Sequence, residues 1–513
     1  MLKSSAAGLV WRPRSGEPST DTETARFESP PATAAHRSAA GRFPWRATTG
    51  RTASPGDPRM SDAPDDPESL LALAPPEQVP APAPVPEELT HTGVDLRSTV
   101  GAKLATVMFL HHFSVSAWIV TLSSYINANS GDDGLAIFTA GFVGTVYGAG
   151  PLGGMISPFI TGLLADHYVA TERLMAILNL GAAAALFAAI GADSESAFYF
   201  SALGYFVCFI PSFALATSMS LHHLKRPERD FPVIRACSTS GWIAAGFFVG
   251  WFWPLLTGSS IEATATPLKI AMVGQLVTAA FCLVLPHTPP SNRKAPGQKG
   301  GFSLSESFAL LRQPRFLFLL ALAVLAHAPA QFYYSYLNVY LNTWIEMENA
   351  AAKMALGQVV EVCCMIVLPA ILLRISVKTS ILIGLAIWTV RLWILSATAL
   401  PTMWGREGWI YFAILIHGFA FTLVSISLQL DVDRCAGRKR RATAQGLLAV
   451  SMSGIGCFIG AELAGDAGAR LLPEELGDAT AAGWQSFWLL PTYLMGGVFL
   501  LTALFLPQDK KPQ

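Results

Sequence analysis

Charge is what this chain lacks. Only 14% of its 513 residues are Asp, Glu, Lys or Arg, where a soluble domain carries about 25%. The first hundred residues are polar, so the remainder is poorer in charge than the average says. Net charge is zero, which removes the electrostatic argument for a nucleic-acid partner. Cysteine is sparse too. The seven cysteines show no metal-like spacing, and the adjacent Cys363 and Cys364 resemble neither a zinc site nor a disulfide framework. We read them as helix-packing residues and expect no metal. No H-E-x-x-H, G-x-S-x-G or phosphate-binding P-loop occurs. Those absences argue against an intramembrane hydrolase and an ATP-driven pump, so the chain is not expected to be an enzyme.

What is there is apolar sequence: 52% hydrophobic residues and mean hydropathy +0.43. From Gly101 onward it falls into runs of about 20 residues, the length that crosses about 30 Å of hydrocarbon. Twelve runs are expected, near 102–126, 135–163, 172–191, 197–219, 233–256, 267–286, 315–341, 351–373, 379–397, 408–430, 442–465 and 484–507. Only helices or closed barrels satisfy the backbone in lipid, and these runs are too long and too evenly apolar for barrel strands. The expected fold class is an all-α membrane protein of twelve transmembrane helices.

Orientation follows from lysine and arginine. One set of short loops holds fifteen of them, including Arg226, Arg229, Arg374 and Arg438–Arg441, and the other set holds four, Lys269, Lys353, Arg406 and Arg470. The basic set is assigned to the cytoplasm, and an even number of spans puts both termini there, in a multi-pass protein of the cytoplasmic (inner) membrane. Residues 1–98 form a polar extension whose composition argues disorder. Residues 1–59 carry nine Lys/Arg, whereas residues 60–101 carry only Arg97 besides eight acids. Met60 is therefore a candidate true start; a real basic tail is the alternative.

Two halves are expected: a first six-helix bundle at 99–286, a Pro-, Gly- and Lys/Arg-rich linker at 287–314, a second bundle at 315–507 and a tail at 508–513. Paired bundles of this kind hold substrate near the midplane between them. After the second run comes "GLLADHYVATER". Gly162, Asp166 and Arg173 there resemble the loop motif of the major facilitator superfamily and are candidates for a conformational latch; an ordinary loop charge pair is the alternative.

Polar residues inside the runs are the candidate site. A charge at a helix centre costs at least about 2.5–3.5 kcal/mol on insertion scales, so an ionisable group there is a functional hypothesis. In "FPVIRACSTSGW", Arg235, Thr239 and Trp242 share one helix face; a snorkelling arginine is the competing reading. In "AQFYYSYLN", Gln331, Tyr334 and Asn338 recur on one face. Amides can pair with a base or with sugar hydroxyls, and rings can stack on a base; interhelical glue is the competing reading. In "LGQVVEVCCMIVLP", Gln358 and Glu361 lie one turn apart. Desolvation disfavours the ionised carboxylate, which makes Glu361 a candidate proton carrier or the partner of a cation such as Arg235 or Arg391. His417 is a weaker candidate for titration. The pairs His111/His112 and His222/His223 are read as packing or interface residues.

At these residues the chain resembles the nucleoside:proton symporter family of the major facilitator superfamily. The likeness runs through "FPVIRACSTSGW", "GQVVEV", "IWTVRLWIL", "RATAQGLLAVSMSGIGCFIG" and "WQSFWLL" and covers about 100–507. It implies import of nucleosides down the proton gradient by alternating access. Arg235, Thr239, Trp242, Gln331, Gln358 and Phe421 would stand at substrate-site positions, Tyr334 would replace a family asparagine, and Glu361 would couple to the proton. Protons would be the coupling ion, with no other cofactor. The family's aspartate after the phenylalanine is Thr422 here. Expected partners are a nucleoside and the bilayer, with no nucleic acid and a monomeric state. A transporter of a sugar or other polar metabolite, or a non-transporting membrane sensor, remain open alternatives.

Overall fold

The computed structural model describes residues 95–507 apart from 132, 133, 140, 291–308 and 475. Met60, most of the central linker and the tail after 507 lie outside the described residues. Ten helices among the described residues are long and apolar enough to cross a membrane. In chain order we label the spanning segments α1 (Thr99–Asn127), α2 (Phe142–His167), α3 (Thr171–Ile190), α4 (Glu195–His223), α5 (Arg229–Thr257), α6 (Thr266–Cys282), α7 (Pro314–Trp344), α8 (Ala350–Leu372), α9 (Val377–Thr398), α10 (Arg406–Gly437), α11 (Thr443–Leu471) and α12 (Ala481–Phe505). α2 and the 17-residue α6 bring the set to the twelve expected.

The ends follow local chemistry. Ser98 caps α1 by accepting from the Gly101 amide, and Ser376 and Thr480 cap α9 and α12 in the same way. The second span starts at Phe142, not near residue 135. Before it the chain turns, and the Asn129 side chain accepts from the Leu135 amide. Ala136 there has φ +51°, a left-handed conformation that ends helical continuity. α10 and α11 join without a loop; the chain bends at Gly437, φ +68°, where the absence of Cβ makes that backbone accessible.

α1–α6 and α7–α12 form two bundles that meet along α2–α11 and α5–α8. Lipid gives apolar side chains no reason to associate, so such crossings depend on small residues that bring backbones close. Gly144 packs on the backbone of Gly465, and Gly246 and Gly250 pack on Ala351, Ala352 and Ala355. Large apolar side chains such as Phe187, Ile366, Tyr493 and Leu504 face outward, as a lipid-solvated surface requires.

Candidate functional site

Between the bundles lies a cavity of about 270 Å³, near the small end of the range for small-molecule pockets. The first bundle contributes Ser116, Tyr147, Phe206 and Trp242, and the second Gln331, Tyr333, Tyr334, Met354 and Gln358. Mostly apolar walls that include five aromatic rings and two side-chain amides suit a flat, polar-edged solute. Trp242 sits where α5 presses on α1, its carbonyl accepting from Ser116. Tyr147 is held by donation to the Ile119 carbonyl at 2.6 Å.

Four of the sequence candidates therefore line the cavity: Trp242, Gln331, Tyr334 and Gln358. Arg235 lies two turns before Trp242 on α5, exposed, with its guanidinium carbon 5.1 Å from the Phe213 ring centre. Thr239 is half-buried between them. Asn338 lies two turns beyond Gln331, away from the basic loops, and is absent from the cavity wall. It accepts from Ser124 Oγ at 2.7 Å and donates to Glu262 Oε2 at 2.8 Å. Phe421 packs beside His417, ring centres 6.0 Å apart. Arg173 is exposed in the first turn of α3; Gly162 and Asp166 belong to α2, and the disposition of their side chains lies outside the described residues.

Behind the cavity wall the second bundle holds a chain of charge. Glu361, one turn beyond Gln358 on α8, is 7% exposed. His417 Nε2 is 3.7 Å from its Oε2. His417 Nδ1 is 2.8 Å from Arg391 Nη1. Arg391 is fully buried, donates through Nε to the Ala413 carbonyl at 3.1 Å, and places its guanidinium carbon 3.7 Å from the Tyr333 ring centre. Among the described residues no ion pair within 4 Å joins Glu361 to Arg235 or Arg391; the cation-capable neighbour at that range is His417. Arg235 stands on α5, which packs against α8. Two glycines bring this chain together. A Cβ on Gly418 would overlap the Glu361 backbone, and one on Gly357 would meet the Ile414 carbonyl at 2.8 Å. α10 can thus lie against α8 with His417 beside Glu361.

Sequence reasoning missed Tyr333 and Glu262. Tyr333 has the same aromatic signature as its neighbour Tyr334, and its pairing with Arg391 spans two helices. Glu262, in the α5–α6 loop, carries no sequence signal that sets it apart from other loop acids. It is 1% exposed. Its carboxylate accepts from Asn338, from Asn342 at 3.0 Å and from the Ala351 amide at 3.0 Å. One carboxylate of the first bundle thus ties two helices of the second, including the amide-rich start of α8.

Residues 98–510 match the family described as the nucleoside H+ symporter. The chain belongs to that family. It is 28% identical to the xanthosine permease of Escherichia coli (strain K12) over 422 residues, 80% of this chain and 94% of that one. It is 24% identical to the nucleoside permease NupG of the same organism over 417 residues, 79% of this chain and 95% of that one. A crystal structure of the nucleoside transporter NupG superposes with TM-score 0.69 at 22% identity, covering 79% of this chain and 98% of that one. A peptide transporter, POT, in complex with sulfate superposes with TM-score 0.61 at 14% identity. These likenesses show the two-bundle fold. With the family match they make the chain a multi-pass, proton-coupled nucleoside transporter and not an enzyme.

Proposed function

We propose that this chain imports nucleosides through the cavity between its bundles, with Glu361 as the group that takes up and releases the coupling proton. The observation that supports this most is one helix face. Gln358 reaches the cavity, and Glu361 lies one turn further along the same helix, buried and, among the described residues, without an ion pair to an arginine within 4 Å. A carboxylate so placed gains from carrying a proton when no cation neutralises it. The amides of Gln331 and Gln358 would read the base or ribose edge, and Trp242 and Tyr334 would cover the base face.

The bundles present one state of an alternating-access cycle. The end away from the basic loops is shut by Glu262, Ser124, Asn338 and Asn342, and exposed Arg235 lies toward the basic end. With the basic end in the cytoplasm, this is the inward-facing state of a protein of the cytoplasmic membrane with both termini inside. Asn338 then serves the closed gate, and in the outward-facing state it becomes available to incoming substrate. Gly162, Asp166 and Arg173 would latch the opposite closure.

Counterflow in proteoliposomes tests this reading. Labelled uridine should exchange against purine and pyrimidine nucleosides. Exchange against sugars with none against nucleosides would point to the polar-metabolite reading. Glu361→Gln should keep exchange and lose uphill accumulation.

A further inference from the structure

Building on the reading of Glu361 as proton carrier, we propose that His417 is its positioning residue: a permanently neutral imidazole, held by Arg391, that donates from Nε2 to the Glu361 carboxylate once the proton has left. The argument starts from Arg391. A guanidinium only donates, so His417 Nδ1, 2.8 Å from Nη1, must accept. The single proton of the ring therefore sits on Nε2, an assignment made from the hydrogen-bond network. That Nε2 is fully buried, has no hydrogen-bond partner, and lies 3.7 Å from Glu361 Oε2. The separation is somewhat beyond the roughly 2.9 Å of an N–H···O bond. A small side-chain movement closes it when Glu361 is ionised and releases it when Glu361 is protonated.

A doubly protonated ring is unfavourable here. It would turn an Nδ1–H toward a guanidinium N–H, donor against donor and cation against cation. His417 is thus a fixed dipole and not a second carrier. Titratable groups around the pair are Arg235 of α5, Tyr333 and Tyr334 of α7, Cys364 of α8 itself, Arg391 of α9 and, beside Tyr334, Cys457 of α11. Thr422, whose buried hydroxyl has no partner, stands one turn beyond His417. With no carboxylate at that position, Glu361 is the acid this donor can serve.

Two substitutions separate the nitrogens. His417→Asn offers Arg391 an oxygen near the Nδ1 position but cannot reach Glu361. His417→Gln places an N–H near the Nε2 position. In proteoliposomes, the midpoint of proton-driven uridine uptake against external pH should rise by about one unit in His417→Asn, the scale of one charge-assisted hydrogen bond. His417→Gln should keep the parent midpoint. A merely structural histidine would lower uptake in both and move neither midpoint; that result, or equal shifts in both, overturns the proposal. The wild-type protein supplies a second measurement. Nitrogen-15 histidine resonances in lipid should show His417 as the neutral Nε2–H tautomer throughout the pH range of coupling, and an imidazolium signal there overturns it. If Glu361→Gln still accumulates uridine against a gradient, the coupling role of Glu361 fails, whatever the histidine results.

Discussion

Two fully buried histidines, one in each bundle, have opposite surroundings. His111 in the first bundle has both nitrogens fixed. Nδ1 donates to the Val107 carbonyl and Nε2 accepts from Ser212, each at 2.9 Å, and Ser212 in turn accepts from Asn179. His417 in the second bundle has one nitrogen fixed by a guanidinium and the other facing a carboxylate out of bonding range. The first arrangement is complete and has nothing to gain from a proton. The second lacks a partner at Nε2 among the described residues, and under the proposal above Glu361 supplies it on ionising. The same contrast holds for the bundles' share of the cavity. The first gives it Phe206, Trp242 and Tyr147, which shape it; the second gives it the amides, with the charged chain behind them. A buried histidine is thus read by whether both nitrogens have partners, not by its burial.

The largest break in this comparison should come from Glu361→Gln. It removes the only group in the second bundle's chain proposed to change charge, so uphill uridine accumulation should vanish while counterflow persists. Glu262→Ala should follow. It leaves the Asn338 and Asn342 amides and the Ala351 amide without their acceptor, and hydrogen bonds to a charged group are worth about 1.5–3 kcal/mol each. The closed gate should open at least about tenfold more often, measured as faster labelling of Val120→Cys, in the cavity wall, by an impermeant thiol reagent added outside. That variant is compared with the same cysteine beside native Glu262.

Gly418→Ala should come next. Its methyl would collide with the Glu361 backbone, and overpacking costs roughly 1–3 kcal/mol. A lower thermal midpoint in detergent, with uptake reduced, would show it, while Gly408→Ala, where a methyl meets nothing within 4 Å, should be silent. The smallest effect on coupling belongs to His111→Gln. It should lower stability by about 1–3 kcal/mol through unsatisfied buried groups and leave the pH midpoint of uptake unmoved. A shifted midpoint in that variant would erase the distinction between the two histidines.

The spans were legible because hydrocarbon thickness dictates their length, and eleven of them begin within a few residues of the expected positions. The exception, Phe142, failed because the apolar stretch before it is turned by Ala136 and Asn129, a backbone event that hydropathy does not register. Gln358 and Glu361 stood out because polar groups are costly in lipid. Gln331, Tyr334 and Asn338 lie on one stripe as expected, but seven residues of helix span about 10 Å. The near end of the stripe lines the cavity and the far end joins the hydrogen-bond cluster around Glu262. The pairing of Arg391 with His417 could not be read from one strand of sequence. It joins α9 to α10, and the approach of His417 to Glu361 depends in turn on Gly357 of α8 and Gly418 of α10.

The most direct measurement is substrate-driven proton movement in proteoliposomes holding a pH-sensitive dye. On adding uridine outside, wild type should acidify the lumen, and Glu361→Gln should give no signal while still exchanging labelled uridine. Lumen acidification by Glu361→Gln at the wild-type rate would contradict a coupling role for that carboxylate.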